Sequence, residues 1–253
     1  VPCRLNTHVI DWTQVLDPLG TAGRVPALLD QVETERGAEA WDDLWDALCL
    51  EGETVVPASF AALPRLVAIG AKSPEALSLA GSIMRGALQD HGADDLLRSC
   101  TDVVSRLQAL LDQRLKLRPV GYLHVFRDLL AATGQYHWSA VLGDFSDDFY
   151  HLRCPHCDVE VTVAIGDHGR YSAIRDWHAG DTERRDLKPV PPEDLVGTGR
   201  WMYDTAVRDD QSWLANGLTY LFGLAECPRC ASRFGVAEEY TAANLPSSGS
   251  ERR

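Results

Sequence analysis

Cys154-Pro155-His156-Cys157 and Cys227-Pro228-Arg229-Cys230 are the two stretches on which the reading of this chain turns. Each is a C-x-x-C knuckle with proline after its first cysteine. Together they offer four thiolates, the ligand count of a closed tetrahedral zinc site. A compact ribbon separates its cysteine pairs by about 15 to 20 residues, whereas 69 residues, 158–226, lie between these two. The expectation is a zinc ribbon with a large insertion, in which Cys154, Cys157, Cys227 and Cys230 hold one structural Zn²⁺.

Other readings of the same cysteines have to be weighed. Cys-Pro-His-Cys also occurs in thiol oxidants of the thioredoxin fold, where a helix N-terminus lowers the pKa of the first cysteine. Here Cys157 is followed by Asp158-Val159-Glu160-Val161-Thr162-Val163-Ala164-Ile165, an alternation that predicts a strand and no helix. Two disulfides would leave the repeated C-P-x-C unexplained, and nothing else in the sequence points to an oxidising compartment. Iron fits the same four sulfurs as well as zinc does. Four ordinary buried cysteines are the remaining alternative. One departure from the pattern is the residue after each second cysteine: such knuckles often place glycine there, where φ can be positive, and this chain has Asp158 and Ala231.

The 253 residues suffice for one large or two ordinary domains, and a hydrophobic fraction of 45% is ample for a core. No apolar run reaches the roughly 18 residues of a membrane helix, and no signal-peptide pattern opens the chain. The expectation is a soluble, cytoplasmic protein. The net charge of −13 argues against general affinity for nucleic acid or anionic membrane. Residues 1–53 hold eleven acidic and three basic side chains, so most of that charge is gathered at the start. Such a face is commonly mere solvation, but it would also suit a basic protein partner.

Hydrophobic periodicity makes the first half helical. A short helix and loop are expected over 10–25, and helices over 26–35 and 38–49. The second of these carries Trp41, Leu44, Trp45, Leu48 and Cys49 on one face and Glu39, Asp42, Asp43 and Asp46 on the other. Further helices are expected over 57–71, kinked or divided at Pro64, over 74–89 behind an N-cap at Ser73, over 93–117 with Leu96 and Leu97 opening its apolar stripe, and over 120–132. Cys49 and Cys100 read as core residues. Helices of similar length with short breaks suggest an irregular solenoid or a bundle.

Ile10-Asp11-Trp12, Val25-Pro26-Ala27-Leu28-Leu29, Leu44-Trp45-Asp46-Ala47-Leu48-Cys49 and the run from Pro57 through Val67 also carry a resemblance. Across roughly residues 10–90 the chain resembles poorly characterised bacterial HEAT-like helical proteins, some of them of immunity or interaction type. The resemblance implies a non-catalytic scaffold. It names no functional residue to carry over. Where those proteins more often continue Leu-Cys with His-Gln-Gly, this chain has Leu50-Glu51-Gly52.

From residue 135 the texture changes. Strands are expected at 148–153, 159–165 and 171–174, then a charged loop over 176–188, two helices over 193–220, and strands at 221–226 and 232–238 around the second knuckle. The division is therefore a helical HEAT-like region at 1–134, a zinc-ribbon module at 135–240 with a helical insertion over about 176–220, and a loose tail at 241–253. No H-E-x-x-H, Walker loop or G-x-S-x-G is present, and Gly197-Thr198-Gly199 lacks the third glycine of a dinucleotide site. Asp144, Asp147, Asp148, His151, His168, Asp176 and His178 would serve acid–base chemistry only if the fold converged them.

The sequence thus predicts a mainly α, α+β protein. Its function is expected to be non-enzymatic protein interaction, with Glu39, Asp42, Asp43, Asp46 and Glu51 facing a basic partner. The alternatives are a zinc-ribbon nucleic-acid-binding regulator, whose basic supply (Arg175, Arg184, Arg185, Lys188) is diluted by Asp176, Asp181, Glu183 and Asp186, and an enzyme of unrecognised type.

Overall fold

Leucine and alanine at helical spacing build the first of two compact units, Val1–Ala140. The computed structural model describes residues 10–34, 38–50, 54–87, 100–145, 149–176, 178 and 180–244. The first unit contains α1 (Val25–Glu33), α2 (Ala38–Leu48), α3 (Pro57–Gly70), α4 (Pro74–Gly86), α5 (Thr101–Lys116) and α6 (Tyr122–Ala132). The division between units falls inside α7 (Tyr136–Phe145). Leu29, Leu44, Leu63, Leu66, Ile83 and Leu107 are fully buried where these helices face one another. Ser73 caps α4 as its sequence predicts, its hydroxyl accepting from the Ala76 N–H at 3.2 Å.

Three expectations for this unit are modified. The short helix expected over 10–25 is instead a hairpin of β1 (Leu16–Asp17) and β2 (Gly20–Thr21) followed by a 3₁₀ turn at Ala22–Arg24. The buried Asp17 carboxylate dictates this: it accepts from the Leu19 N–H at 2.9 Å and from Arg24 at 3.3 Å, closing the turn around Pro18. Of the kink or division expected at Pro64, division is not seen: α3 runs through it as one helix. The helix is buried along most of its surface, at Ala58, Phe60, Ala62, Leu63, Leu66 and Val67. That packing outweighs the roughly 3 kcal/mol an interior proline costs. The helix expected over 93–117 is seen as Thr101–Lys116, and Leu96 and Leu97 lie outside the described residues. A short pair, β3 (Cys49–Leu50) with β4 (Thr54–Val55), joins α2 to α3.

The second unit, Val141–Arg253, is built on an antiparallel sheet in the order β5 (Phe149–Arg153), β6 (Glu160–Ala164), β7 (Tyr171–Asp176), β8 (Gly180–Asp186). On β5, Tyr150 and Leu152 are buried while His151 and Arg153 are exposed, as alternation requires. β6 is buried on both faces, because Thr162 and Ala164 are covered as well as Val161 and Val163. β8 corrects the loop expected over 176–188. Then come a 3₁₀ turn at Pro192–Asp194, the helical hairpin α8 (Gly197–Arg208) and α9 (Ser212–Leu221), and the two-stranded pair β9 (Leu224–Glu226) and β10 (Arg233–Gly235). The strand expected to 238 stops at Gly235, and α10 (Val236–Asn244) takes over, reaching into what was expected to be tail. Tyr240 explains the helix: its ring meets Tyr150 of β5 edge-on at 5.1 Å, and its hydroxyl donates to Asp144.

Candidate metal centre

Each knuckle is the tip of an antiparallel hairpin. The first joins β5 to β6, where Arg153 pairs with Glu160, and the second joins β9 to β10, where Glu226 pairs with Arg233. The two tips share one hydrogen-bond frame. Cys154 N–H donates to Val159 O at 2.9 Å and Asp158 N–H to Cys154 O at 2.9 Å. In the other, Cys227 N–H donates to Ser232 O at 2.8 Å and Ala231 N–H to Cys227 O at 2.9 Å. The residue after each second cysteine is left-handed in both, with φ of 57° at Asp158 and 58° at Ala231. The chain therefore adopts glycine's usual conformation there without glycine. Aspartate tolerates it and alanine is strained by it.

The frame turns the four sulfurs inward on each other. All four lie within 4.8 Å of one another, and the two distances across the knuckles, Cys154 to Cys230 and Cys157 to Cys227, are both 3.7 Å. Sulfurs bound at about 2.3 Å to one tetrahedral ion sit about 3.8 Å apart. A disulfide would need about 2.05 Å, and none of the four cysteines is in one. The site can therefore hold a metal ion. Among the described residues it is the only cluster of three or more metal-ligating side chains that could. Cys154 and Cys227 are buried, Cys157 is half-buried and Cys230 reaches the surface.

Electrostatics sort the sulfurs. Burial pushes the Cys227 thiol up to about 12, against the pull of the Cys230 and Arg229 backbone N–H groups on its sulfur. Ser232, donating through both its hydroxyl and its backbone N–H, brings Cys230 down to about 6. At Cys157 the Val159 N–H favours the thiolate, but burial and the neighbouring sulfurs outweigh it and the thiol stands above its ordinary value. A dication among the sulfurs reverses this balance, because it stabilises all four as thiolates. The N–H donors from Val159, Arg229, Cys230 and Ser232 then share the excess negative charge. Sequence reasoning missed Ser232; a hydroxyl residue two positions after a ligating cysteine was the available signal.

The 69 intervening residues are accommodated in two steps. First, β7 and β8 extend the sheet begun by the first hairpin. Next, the helical segment is closed at its base by a bridge in which Lys188 and Leu224 exchange N–H···O bonds of 2.9 Å. Gly223 permits that closure, since a Cβ there would collide with the Lys188 carbonyl. Ser172 of β7 ties the second hairpin to the sheet by donating to Glu226 O at 2.6 Å.

Among the described residues the remaining candidates form no cluster. His151, His168 and His178 are exposed, and His168 stacks on Phe149 with ring centroids 5.1 Å apart. Asp147 and Asp148 lie outside the described residues. Of the basic side chains near β8, Arg175 pairs with Asp181 at 2.7 Å, Arg185 with Glu226 at 3.7 Å, and Arg184 lies over the Tyr171 ring at 4.2 Å, while Lys188 is exposed. In the first unit, Glu39, Asp42, Asp43 and Asp46 are all exposed on α2, opposite the buried Ala40, Leu44, Ala47 and Leu48. None of the four carboxylates has a partner among the described residues. Glu51 lies outside the described residues. Trp41 and Trp45 are half-buried on the flanks of the helix, and Cys49 and Cys100 are buried, as core packing predicts. No helix among the described residues is long and apolar enough to cross a membrane.

No family model, curated protein or solved structure matches this chain.

Proposed function

We propose that this chain is a non-catalytic, zinc-containing interaction protein: a HEAT-like helical scaffold followed by a zinc ribbon with a β and helical insertion, acting in the cytoplasm on a basic protein partner. The observation that carries this reading is the set of four thiol sulfurs at tetrahedral spacing on two matching hairpin tips. Four protein ligands leave no coordination position for water or substrate, so the ion's role is structural. Reduced thiols suit a reducing compartment. Zinc is the ion that two C-x-x-C knuckles most commonly hold, and iron, which fits the same four sulfurs, is the alternative.

The partner is read from α2. Its exposed carboxylates have no partner among the described residues, and they lie within the most acidic part of the chain. Clustered like charges repel, and a basic surface relieves that repulsion and speeds encounter. The resemblance to immunity-type helical proteins suits a basic toxin or other nucleic-acid-active protein as the partner. A nucleic-acid-binding role is disfavoured because Arg175, Arg184 and Arg185 are engaged within the unit and the chain's net charge is −13. The test is affinity capture from the native host, followed by association kinetics of the captured protein against salt. An association rate that falls with salt, and falls again in Asp42→Asn/Asp43→Asn/Asp46→Asn, supports the reading. A captured partner indifferent to both locates the docking face elsewhere.

A further inference from the structure

The helical unit holds a concavity that owes nothing to the cysteines. It encloses about 520 Å³ between α2, α4, α5 and α6, within the range of small-molecule sites. Trp45, Leu77 and Leu111 give it apolar walls, and Arg85, Arg114 and Asp128 give it charge. Asp128 is almost completely buried, and it pairs with Arg85, itself only 12% exposed. Arg85 also donates to the Ser82 hydroxyl at 2.7 Å.

This arrangement is costly to build. A Cβ at position 81 would intrude on the Asp128 carboxylate, so a glycine is kept inside α4 to admit it. Glycine weakens a helix interior, and a buried ion pair is usually no more stabilising than the apolar side chains that could replace it. Helix packing alone therefore does not call for Gly81, Arg85 and Asp128. Arg114 adds a second cation. It is half-buried on the cavity wall and has no partner among the described residues. Two guanidinium groups against one carboxylate leave the cavity one positive charge in excess.

We infer that this cavity binds a small organic carboxylate with an aromatic or branched apolar body. The fork of Arg114 matches a planar carboxylate in two parallel hydrogen bonds, as an ammonium would not. Asp128 and Ser82 hold Arg85 fixed on the same cavity wall, so this cation is in place before the ligand arrives. The apolar body lies along Trp45, Leu77 and Leu111. A single excess positive charge suits a monoanion better than a phosphate dianion.

The test uses the full chain, with 3-phenylpropanoate as probe and 3-phenylpropanamide and inorganic phosphate as comparisons. Binding is followed by NMR through the Trp45 indole and the methyl groups of Leu77 and Leu111. The expected result is shifts confined to these residues, with the amide and phosphate at least about tenfold weaker than the carboxylate. Arg114→Gln should weaken the carboxylate about tenfold, and Arg106→Gln, exposed on the same helix, should leave it unchanged. Ser78→Phe, which fills the mouth from an exposed position, should abolish binding without changing the melting temperature. Equal binding of carboxylate and amide, undiminished binding in Arg114→Gln, or no shift up to about 10 mM probe overturns the assignment.

Discussion

Replacing Ala231 by glycine should tighten the metal site, although it removes a side chain and adds none. Ala231 follows the second cysteine of its knuckle with φ of 58°, is exposed, and uses its N–H to bond Cys227 O at 2.9 Å. Glycine keeps that bond and loses no packing. An L-residue in the left-handed region costs about 1 to 2 kcal/mol, which glycine avoids. Glycine gives back about 0.4 to 1 kcal/mol through the greater freedom of the unfolded chain. The net gain is about 0.5 to 1 kcal/mol, or about two- to fivefold in zinc affinity if the strain exists only when the knuckle is closed. Asp158→Gly should gain less. Aspartate is one of the residues that tolerates this conformation, and the change also removes the exposed ion pair with Arg153 at 3.3 Å. Competition against a chromophoric chelator, with denaturant unfolding of the zinc-loaded protein, reads both quantities. If Ala231→Gly binds zinc more weakly than the parent, or if Asp158→Gly gains more than Ala231→Gly, the shared strained frame is wrong. Ala231→Val provides the opposite arm and should lose affinity, because a β-branched residue is poorly tolerated at positive φ.

Cys227→Ser should abolish tight metal binding and lower hydrogen-exchange protection first at 149–164 and 224–235. The base bridge between Lys188 and Leu224 should keep α8 and α9 protected longer, and α1 to α6 should be unaffected; loss spread evenly over the chain would contradict this. With metal removed, Cys230 should be the most alkylation-prone of the four thiols, with a rate half-maximal near pH 6, and Cys227 the least. The linked stability has a definite sign: the Cys230 thiolate's contribution is complete above about pH 9 and fades as pH falls through about 6, whereas that of protonated Cys227 fades as pH rises from about 9 through about 12. Equal alkylation rates would remove this ordering. In the helical unit, Asp128→Ala should cost about 3 to 5 kcal/mol in chemical denaturation by removing the buried carboxylate that Arg85 pairs with, and Arg85→Met/Asp128→Leu should recover most of it. Failure of the double variant to recover would mean that the pair is needed for the fold.

The clustering of the four cysteines was legible because two matched knuckles are a pattern that chance rarely supplies, and the helices because leucine recurs at 3.6-residue spacing. The remainder was decided by contacts remote in sequence. β8 reads Gly-Asp-Thr-Glu-Arg-Arg-Asp, an edge strand with one half-buried side chain and no alternation, so only its pairing with β7 makes it a strand. Val236–Asn244 carries a β-like start, yet it is helical because Tyr240 packs on Tyr150. Pro64 marks a break that burial of α3 suppresses. Asp128, beside Arg127 in an amphipathic helix, and Gly81, inside another, are unremarkable singly; their meaning lies in a crossing that no local pattern records.

Zinc-edge X-ray absorption on the full chain purified without added metal decides whether the four cysteines hold a structural zinc. The expected result is about one zinc per chain with four sulfur neighbours at about 2.3 Å and no lighter ligand. A coordination shell containing oxygen or nitrogen, iron in place of zinc, or protein whose four cysteines are joined in disulfides would contradict it.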